Sequence, residues 1–177
     1  MGRIMAVEYL TLDGVFEDPA WTQPYFDEEV GAFQGEAMGW ADALLLGRVT
    51  YDGMSQAWPA MGNDPANGSD IMNSIGKYVP TSTLTDPTWN ATFLAGDALE
   101  AVAALKAGDE DLLIYGSGQL TEALRAAGLI DEYRLLICPI VLGQGRRLFT
   151  SPTATQLTVT DCRTAGSGMV LLTLAAA

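Results

Sequence analysis

The order of apolar and polar residues predicts that strands and helices alternate along the chain as far as residue 128. Short aliphatic and aromatic runs are typical of buried strands, and apolar residues three and four positions apart are typical of helices. The predicted strands are 3–12, 43–46, 76–81, 89–94 and 111–115. The predicted helices are 26–41, 50–57, 97–107 and 119–127, the last ending at Gly128.

After residue 128 the pattern changes to strands without helices between them. The predicted strands there are 132–142, 156–163 and 169–174, and turn-rich segments 17–23 and 61–70 are predicted loops. Strand–helix alternation followed by consecutive strands is typical of an α/β fold. We therefore expect one domain over 1–177, with a mixed central sheet, helices on both faces and antiparallel strands at the C-terminal end.

Composition places the chain among globular proteins. It has 177 residues, of which 49% are hydrophobic and 18% charged, enough apolar residues for a full core. No apolar run has the length of a membrane span, and the first residues enter a strand without a signal-peptide pattern. Cys138 and Cys162 both lie in apolar runs. We expect a cytoplasmic protein in which both are reduced core residues rather than a disulfide.

Charge and the missing residue types exclude several functions. The formal net charge is −13, which disfavours a nucleic-acid partner and requires a local basic spot for any small anion. The chain has no histidine, so imidazole bases, Ser-His-Asp triads and common zinc sites are excluded, and no metal is expected. The available chemistry is that of carboxylates, hydroxyls, water or a bound cofactor.

Three predicted strands end in segments suited to an anion. They are Gly47-Arg48 with Thr50, Thr81-Ser82, and Gly116-Ser117-Gly118. Each has an ordinary alternative: a surface arginine, a strand-end hydroxyl cluster or a tight turn. The carboxyl ends of parallel strands share one sheet edge, and helices that begin there direct free N–H groups at it. The three segments together favour a phosphate-binding edge.

A set of motifs distributed over nearly the whole chain resembles a known superfamily. The motifs are LDGV at 12–15, LLGRVTY at 45–51, KYV at 77–79, GSGQL at 116–120, GLIDE at 128–132 and PIVLGQGRRLF at 139–149. In this order they resemble the dihydrofolate-reductase-like superfamily, in the branch related to the reductase domain of bacterial riboflavin biosynthesis. The later motifs narrow the resemblance to that branch.

The resemblance implies a dihydrofolate-reductase-like sheet, NADPH as hydride source, a small-molecule substrate and often a homodimer. It implies phosphate and ribose contacts from Gly47, Arg48 and Thr50. It implies contacts to the adenosine 2′-phosphate from Thr81 and Ser82. It implies contacts to the pyrophosphate and nicotinamide side from Gly116, Ser117 and Gly118. Gln119 departs from the family, in which a basic residue often follows the glycine turn.

Two carboxylates are candidate catalytic residues. Asp13 follows the first strand, where the resemblance implies a loop over the nicotinamide; the alternative is a turn-forming Asp-Gly. Glu36 lies beside the apolar stripe of the first helix and is expected to face the cleft, or else to be a solvated flank residue. The implied function is an NADPH-dependent reductase of a small pyrimidine- or pterin-like heterocycle or related C=N/C=O compound. The alternative is a non-catalytic nucleotide- or drug-binding protein on the same fold.

Overall fold

The computed structural model describes residues 1–177 and contains one mixed sheet of eight strands. The strands follow the order β4-β3-β2-β5-β1-β6-β8-β7 across the sheet. They are β1 (Ile4–Thr11), β2 (Ala43–Leu45), β3 (Gly76–Pro80), β4 (Ala91–Leu94), β5 (Leu112–Tyr115), β6 (Glu132–Cys138), β7 (Leu157–Thr164) and β8 (Val170–Ala176). The first six of these strands are mutually parallel, which places their carboxyl ends at one edge.

Helices cover both faces of the sheet, because side chains of the central strands are buried on both sides. The helices are α1 (Glu28–Trp40), α2 (Arg48–Ala60), α3 (Ser69–Ser74), α4 (Ala98–Lys106) and α5 (Gly118–Ala126). Met5 and Val7 of β1 pack in the core that includes the buried side chains of α1. Ile4 and Ala6 pack in the opposite core, beneath α4 and α5. The predicted α/β class with a mixed sheet is confirmed.

The C-terminal strands are antiparallel, as predicted. β8 lies between β6 and β7 and pairs antiparallel with both. β7 is therefore the last strand of the sheet, and nearly all of its residues are exposed. This position explains why Cys162 is exposed rather than in the core, whereas Cys138 is buried; both are free thiols. None of the helices combines the length and apolar character needed to cross a membrane.

Several boundaries differ from the predictions for local reasons. A 3₁₀ helix (Pro19–Tyr25) occupies most of the first predicted loop. α3 begins directly after Gly68, which has a φ of 75°, so the second loop ends at residue 68 rather than at the predicted residue 70. β6 ends at Cys138, short of the predicted residue 142, because Pro139 follows and cannot donate a backbone hydrogen bond. α2 begins at Arg48, so Gly47 is its N-cap.

Candidate functional site

A pocket of about 340 Å³ lies at the carboxyl edge of the parallel strands. β1 contributes Glu8 and Tyr9, and the segment after it contributes residues 16–19. The turns after β2 and β5 contribute residues 47–50 and 116–120, and Arg146 completes the lining. β1 and β5 are adjacent in the sheet, and β2 is the other neighbour of β5. This order brings turns 70 residues apart in sequence to one pocket.

Two helices begin at this pocket and direct unpaired backbone N–H groups toward it. In α2 these are the N–H groups of Arg48, Val49 and Thr50, and in α5 those of Gly118, Gln119 and Leu120; none has a partner in the chain. Free N–H groups and the positive end of the helix dipole favour a bound anion. The donors therefore fit the phosphate groups of a dinucleotide such as NADPH.

Two of the predicted hydroxyls, those of Thr50 and Ser117, connect the turn after β2 to the turn after β5. Ser117 Oγ accepts a hydrogen bond of 2.9 Å from the N–H of Gly47, and Thr50 Oγ1 donates one of 2.9 Å to the carbonyl of Gly116. Arg48 lies on the rim, where its Nη1 is 3.0 Å from Asp52 Oδ2. An exposed pair of this kind contributes little stability, so the guanidinium is available to a ligand phosphate.

The third predicted segment is at the same edge but outside the pocket. Thr81 and Ser82 follow β3, which pairs with β2, yet neither lines the pocket. Thr81 Oγ1 accepts hydrogen bonds of 3.2 Å from the N–H groups of Thr83 and Leu84. The structure thus brings two of the three segments together, and the third lies one strand farther along the edge.

Asp13 holds a loop and does not line the pocket. It accepts hydrogen bonds from the Thr11 hydroxyl at 2.6 Å, from the Gly143 N–H at 2.9 Å and from Arg147 Nη2 at 3.1 Å. The Thr11 hydrogen bond, followed by the Gly143, Leu142 and Arg147 contacts, keeps the pKa of Asp13 far below its ordinary value. Asp13 is therefore an ionised positioning group rather than a proton donor at neutral pH.

The expectation that Glu36 faces the cleft requires correction. Its carboxylate is half exposed and lies 3.3 Å from Arg134 Nη1, on β6. Arg163 of β7 approaches the same oxygen at 3.8 Å. Helical periodicity placed Glu36 beside the buried stripe but did not show which side of the helix borders the pocket. In the structure Glu36 is not among the residues that line the pocket, and its partner Arg134 lies on β6.

Glu8 is one of the pocket residues that sequence reasoning missed. It is 1% exposed, lines the pocket and accepts a hydrogen bond of 2.7 Å from Thr121 Oγ1. Burial raises its pKa to about 7, opposed by the Thr121 hydroxyl and the Ser117 N–H. The sequence feature that could have identified Glu8 is that it is a single carboxylate within a strand of otherwise apolar, buried residues. Glu8 can bind or release a proton near neutral pH inside the pocket.

Residues 16–19 and the loop that carries Arg146 form a flap over one side of the pocket. Glu17 accepts hydrogen bonds from Arg146, at 2.9 Å from the backbone N–H and at 2.8 Å from Nε, and these contacts lower the pKa of Glu17. The Phe16 ring lies against Gly118, where an added Cβ would be 2.6 Å from ring atoms. The sequence signal for this contact was the pair of consecutive arginines. In the structure Arg146 pairs with Glu17, and Arg147 pairs with Asp13.

Both the sequence and the fold are similar to those of known proteins. The sequence matches the RibD C-terminal domain family over residues 3–171. The uncharacterized protein YyaP of Bacillus subtilis is 31% identical over 175 residues, which are 95% of this chain and 92% of YyaP.

Two crystal structures share the fold. One is a pyrimidine reductase-like protein from Corynebacterium diphtheriae, with a TM-score of 0.68 and 15% identity, covering 99% of this chain and 92% of that one. The other is a diaminohydroxyphosphoribosylaminopyrimidine deaminase/5-amino-6-(5-phosphoribosylamino)uracil reductase from Thermotoga maritima. Its TM-score is 0.69 at 13% identity, and it covers 99% of this chain but 57% of that one. From the sequence match over most of its length, the chain belongs to the RibD C-terminal domain family.

Proposed function

We propose that the protein is an NADPH-dependent reductase of a small, pyrimidine-like heterocycle. The observation that carries this proposal is the convergence of two helix N-termini, with their unpaired N–H groups, on one pocket. The Corynebacterium and Thermotoga proteins with this fold are described as pyrimidine reductase-like and as a uracil-derivative reductase. The family membership and the pocket support the same class of reaction.

Each part of the pocket has a role in this proposal. The N–H groups of α2 and α5 bind the phosphates, Arg48 on the rim binds the 2′-phosphate, and the flap excludes water. Thr81 and Ser82 remain predicted contacts to the 2′-phosphate region. NADPH supplies a hydride to a C=N or C=O carbon, with a proton added at the heteroatom. Burial raises the pKa of Glu8 to about 7, so Glu8 can hold and release a proton inside the pocket near neutral pH.

Replacing Arg48 with alanine is expected to weaken NADPH binding about tenfold, because a charge-assisted hydrogen bond to the 2′-phosphate is lost. NADH, which lacks that phosphate, is expected to bind with nearly unchanged affinity. The dissociation constants can be measured by titration of the intrinsic NADPH and NADH fluorescence. NADPH is also expected to raise the melting temperature of the wild-type protein by mass action.

The matched control is Arg163→Ala. It removes the same charge from β7, where Arg163 pairs with Asp161 at 2.9 Å, far along the sheet from the pocket. This variant is expected to keep the wild-type preference for NADPH. Equal losses for NADPH and NADH in Arg48→Ala contradict the role of Arg48, and the absence of binding of either nucleotide to the wild-type protein contradicts the proposed function.

One observation favours the rival, a non-catalytic binding protein. A second cavity on the α1 face is lined by no carboxylate, so it offers no acidic group for proton transfer to a ligand there. The two candidates differ in turnover. A reductase oxidises NADPH in the presence of a suitable pyrimidine-like compound, which the absorbance of NADPH reports, whereas the binding protein leaves NADPH unchanged.

The homodimer and the cytoplasmic location also remain predictions.

A further inference from the structure

Glu8 is a carboxylate buried in the pocket that is proposed to bind NADPH. It lines that pocket, yet only 1% of its surface is exposed. The turns that lead into α2 and α5 line the same space of about 340 Å³. A dinucleotide held by the N–H groups of these helices therefore brings its negative phosphates into the pocket that already contains Glu8.

The groups that contact Glu8 are uncharged. The Thr121 hydroxyl donates to its Oε1 at 2.7 Å, and the Ser117 N–H also donates to the carboxylate. On β6 the residue opposite Glu8 is Leu135. Tyr133 is the titratable side chain on the same face of β6, and it is neutral because burial raises its pKa to about 12.

The charged side chains of the helices on this face are occupied elsewhere. On α5, Glu122 and Arg125 pair with each other at 2.8 Å. On α4, Lys106 pairs with Asp131 and Glu100 is exposed. None of these helices supplies a counter-ion to Glu8.

The other sides of Glu8 also lack a free positive charge. The tyrosines of β1 and β5, Tyr9 and Tyr115, pack against the core on the opposite face of the sheet. The charged residues that line the pocket besides Glu8 are Glu17, Asp18, Arg48 and Arg146. Both of these arginines already pair with carboxylates. An anion that enters the pocket is therefore repelled by an ionised Glu8 that has no cation beside it.

Glu8 also competes with a ligand phosphate for the N-terminal end of α5. Ser117 is the N-cap of this helix and Thr121 lies in its first turn, so both donors to Glu8 belong to the end that is proposed to bind phosphate. An ionised Glu8 takes up part of the favourable field of the helix dipole at that end. A protonated Glu8 carries no charge, which leaves this field to the phosphate.

We propose that NADPH binds to this pocket together with a proton that is taken up by Glu8, so that the hydride and the proton of the reduction enter the same pocket. The inference rests on the proposed function, since it requires NADPH as the ligand. In the reduction of a C=N bond the hydride goes to carbon and the Glu8 proton goes to nitrogen, which leaves NADP⁺ and the Glu8 carboxylate.

The coupling is measurable near neutral pH. Burial raises the pKa of Glu8 to about 7 in the free protein, so Glu8 is mostly ionised at pH 7.5 and can take up a proton there. Calorimetric titration with NADPH in PIPES, HEPES and Tris gives the number of protons from the dependence of the measured enthalpy on the buffer. We expect an uptake of about half a proton or more at pH 7.5 and little at pH 5.5, where Glu8 is already protonated.

Linkage makes the same coupling visible in the affinity. Uptake of a proton on binding requires the NADPH dissociation constant to rise with pH, by about fivefold from pH 6.5 to pH 8.5 for a shift of about one pKa unit. The 2′-phosphate of NADPH itself titrates near about pH 6. NADH lacks this group, so an equal proton uptake with NADH assigns the proton to the protein.

Glu8→Gln is expected to bind NADPH without proton uptake at pH 7.5. The matched control is Asp18→Asn, which removes a carboxylate from an exposed position of the same pocket. Asparagine tolerates the left-handed φ of 46° at this residue, and the variant is expected to keep the wild-type proton uptake. Thr121→Val removes a donor that favours the ionised form of Glu8, so the pH of maximal uptake is expected to rise.

The results separate this inference from the proposed function. Absence of NADPH binding to the wild-type protein removes both. NADPH binding without proton uptake at pH 7.5 removes the coupling alone. The coupling is also overturned if the uptake persists in Glu8→Gln, if Asp18→Asn abolishes it as Glu8→Gln does, or if it occurs with NADPH but not with NADH.

Discussion

Glu8→Gln is expected to stabilise the protein by about 3 kcal/mol at pH 8 and to have little effect near pH 4. Burial raises the pKa of Glu8 from the ordinary 4.5 to about 7. In the folded protein the carboxyl group therefore keeps its proton between these values, whereas in the unfolded chain it has lost it. The wild-type protein loses stability as the pH rises from about 4.5 to about 7, and the neutral glutamine avoids that loss.

The measurement is the free energy of unfolding by urea at several pH values for both proteins. Other carboxylates shift the absolute curves, so the informative quantity is the difference between variant and wild type. Glu100→Gln, at an exposed position of α4, serves as the control and is expected to follow the wild-type profile. A difference for Glu8→Gln that stays constant from pH 4 to pH 8 contradicts the raised pKa of Glu8.

Gly118→Ala is expected to destabilise the fold by about 2 kcal/mol and to impair NADPH binding. Gly118 is the first residue of α5, where alanine alone favours the helix by up to about 1 kcal/mol. An added Cβ, however, lies 2.6 Å from the Phe16 ring, so the ring and its loop must shift. That overlap outweighs the gain in helix propensity and displaces the flap from the N-terminus of α5.

A double-mutant cycle with Phe16→Ala isolates this contact. In the Phe16→Ala background, Gly118→Ala has no ring to meet and is expected to be neutral or stabilising. Gly35→Ala, in the middle of α1 where an added Cβ meets no atom within 4 Å, is expected to stabilise the protein by about 1 kcal/mol and measures the effect of helix propensity alone. Additive effects of Phe16→Ala and Gly118→Ala on the free energy of unfolding exclude the steric explanation.

Features that depend on local sequence were predictable. β5 and the glycine turn after it followed from an aliphatic run closed by Gly116-Ser117-Gly118, and the turn lines the pocket. The antiparallel end followed from three strand-like runs without helices. α3 was missed because it has six residues, too few for a helical period to be recognised within a segment rich in turn formers.

Features that depend on long-range packing were not predictable. Glu8 is buried because α5 covers that face of β1, and its partner Thr121 is 113 residues away. Cys162 is exposed because no strand or helix lies beyond β7, which only the strand order shows. Thr81 is outside the pocket because β3 is one position farther from β5 than β2 is.

The position of β8 between β6 and β7 has a consequence for folding. β7 precedes β8 in the chain and pairs with no other strand, so during synthesis it has no hydrogen-bonding neighbour until residues 170–176 emerge. Until then β6 also lacks its outer partner and exposes backbone groups to other chains. We expect aggregation in the cell to be most sensitive to changes in this last hairpin, and a stop codon before Val170 to yield insoluble protein.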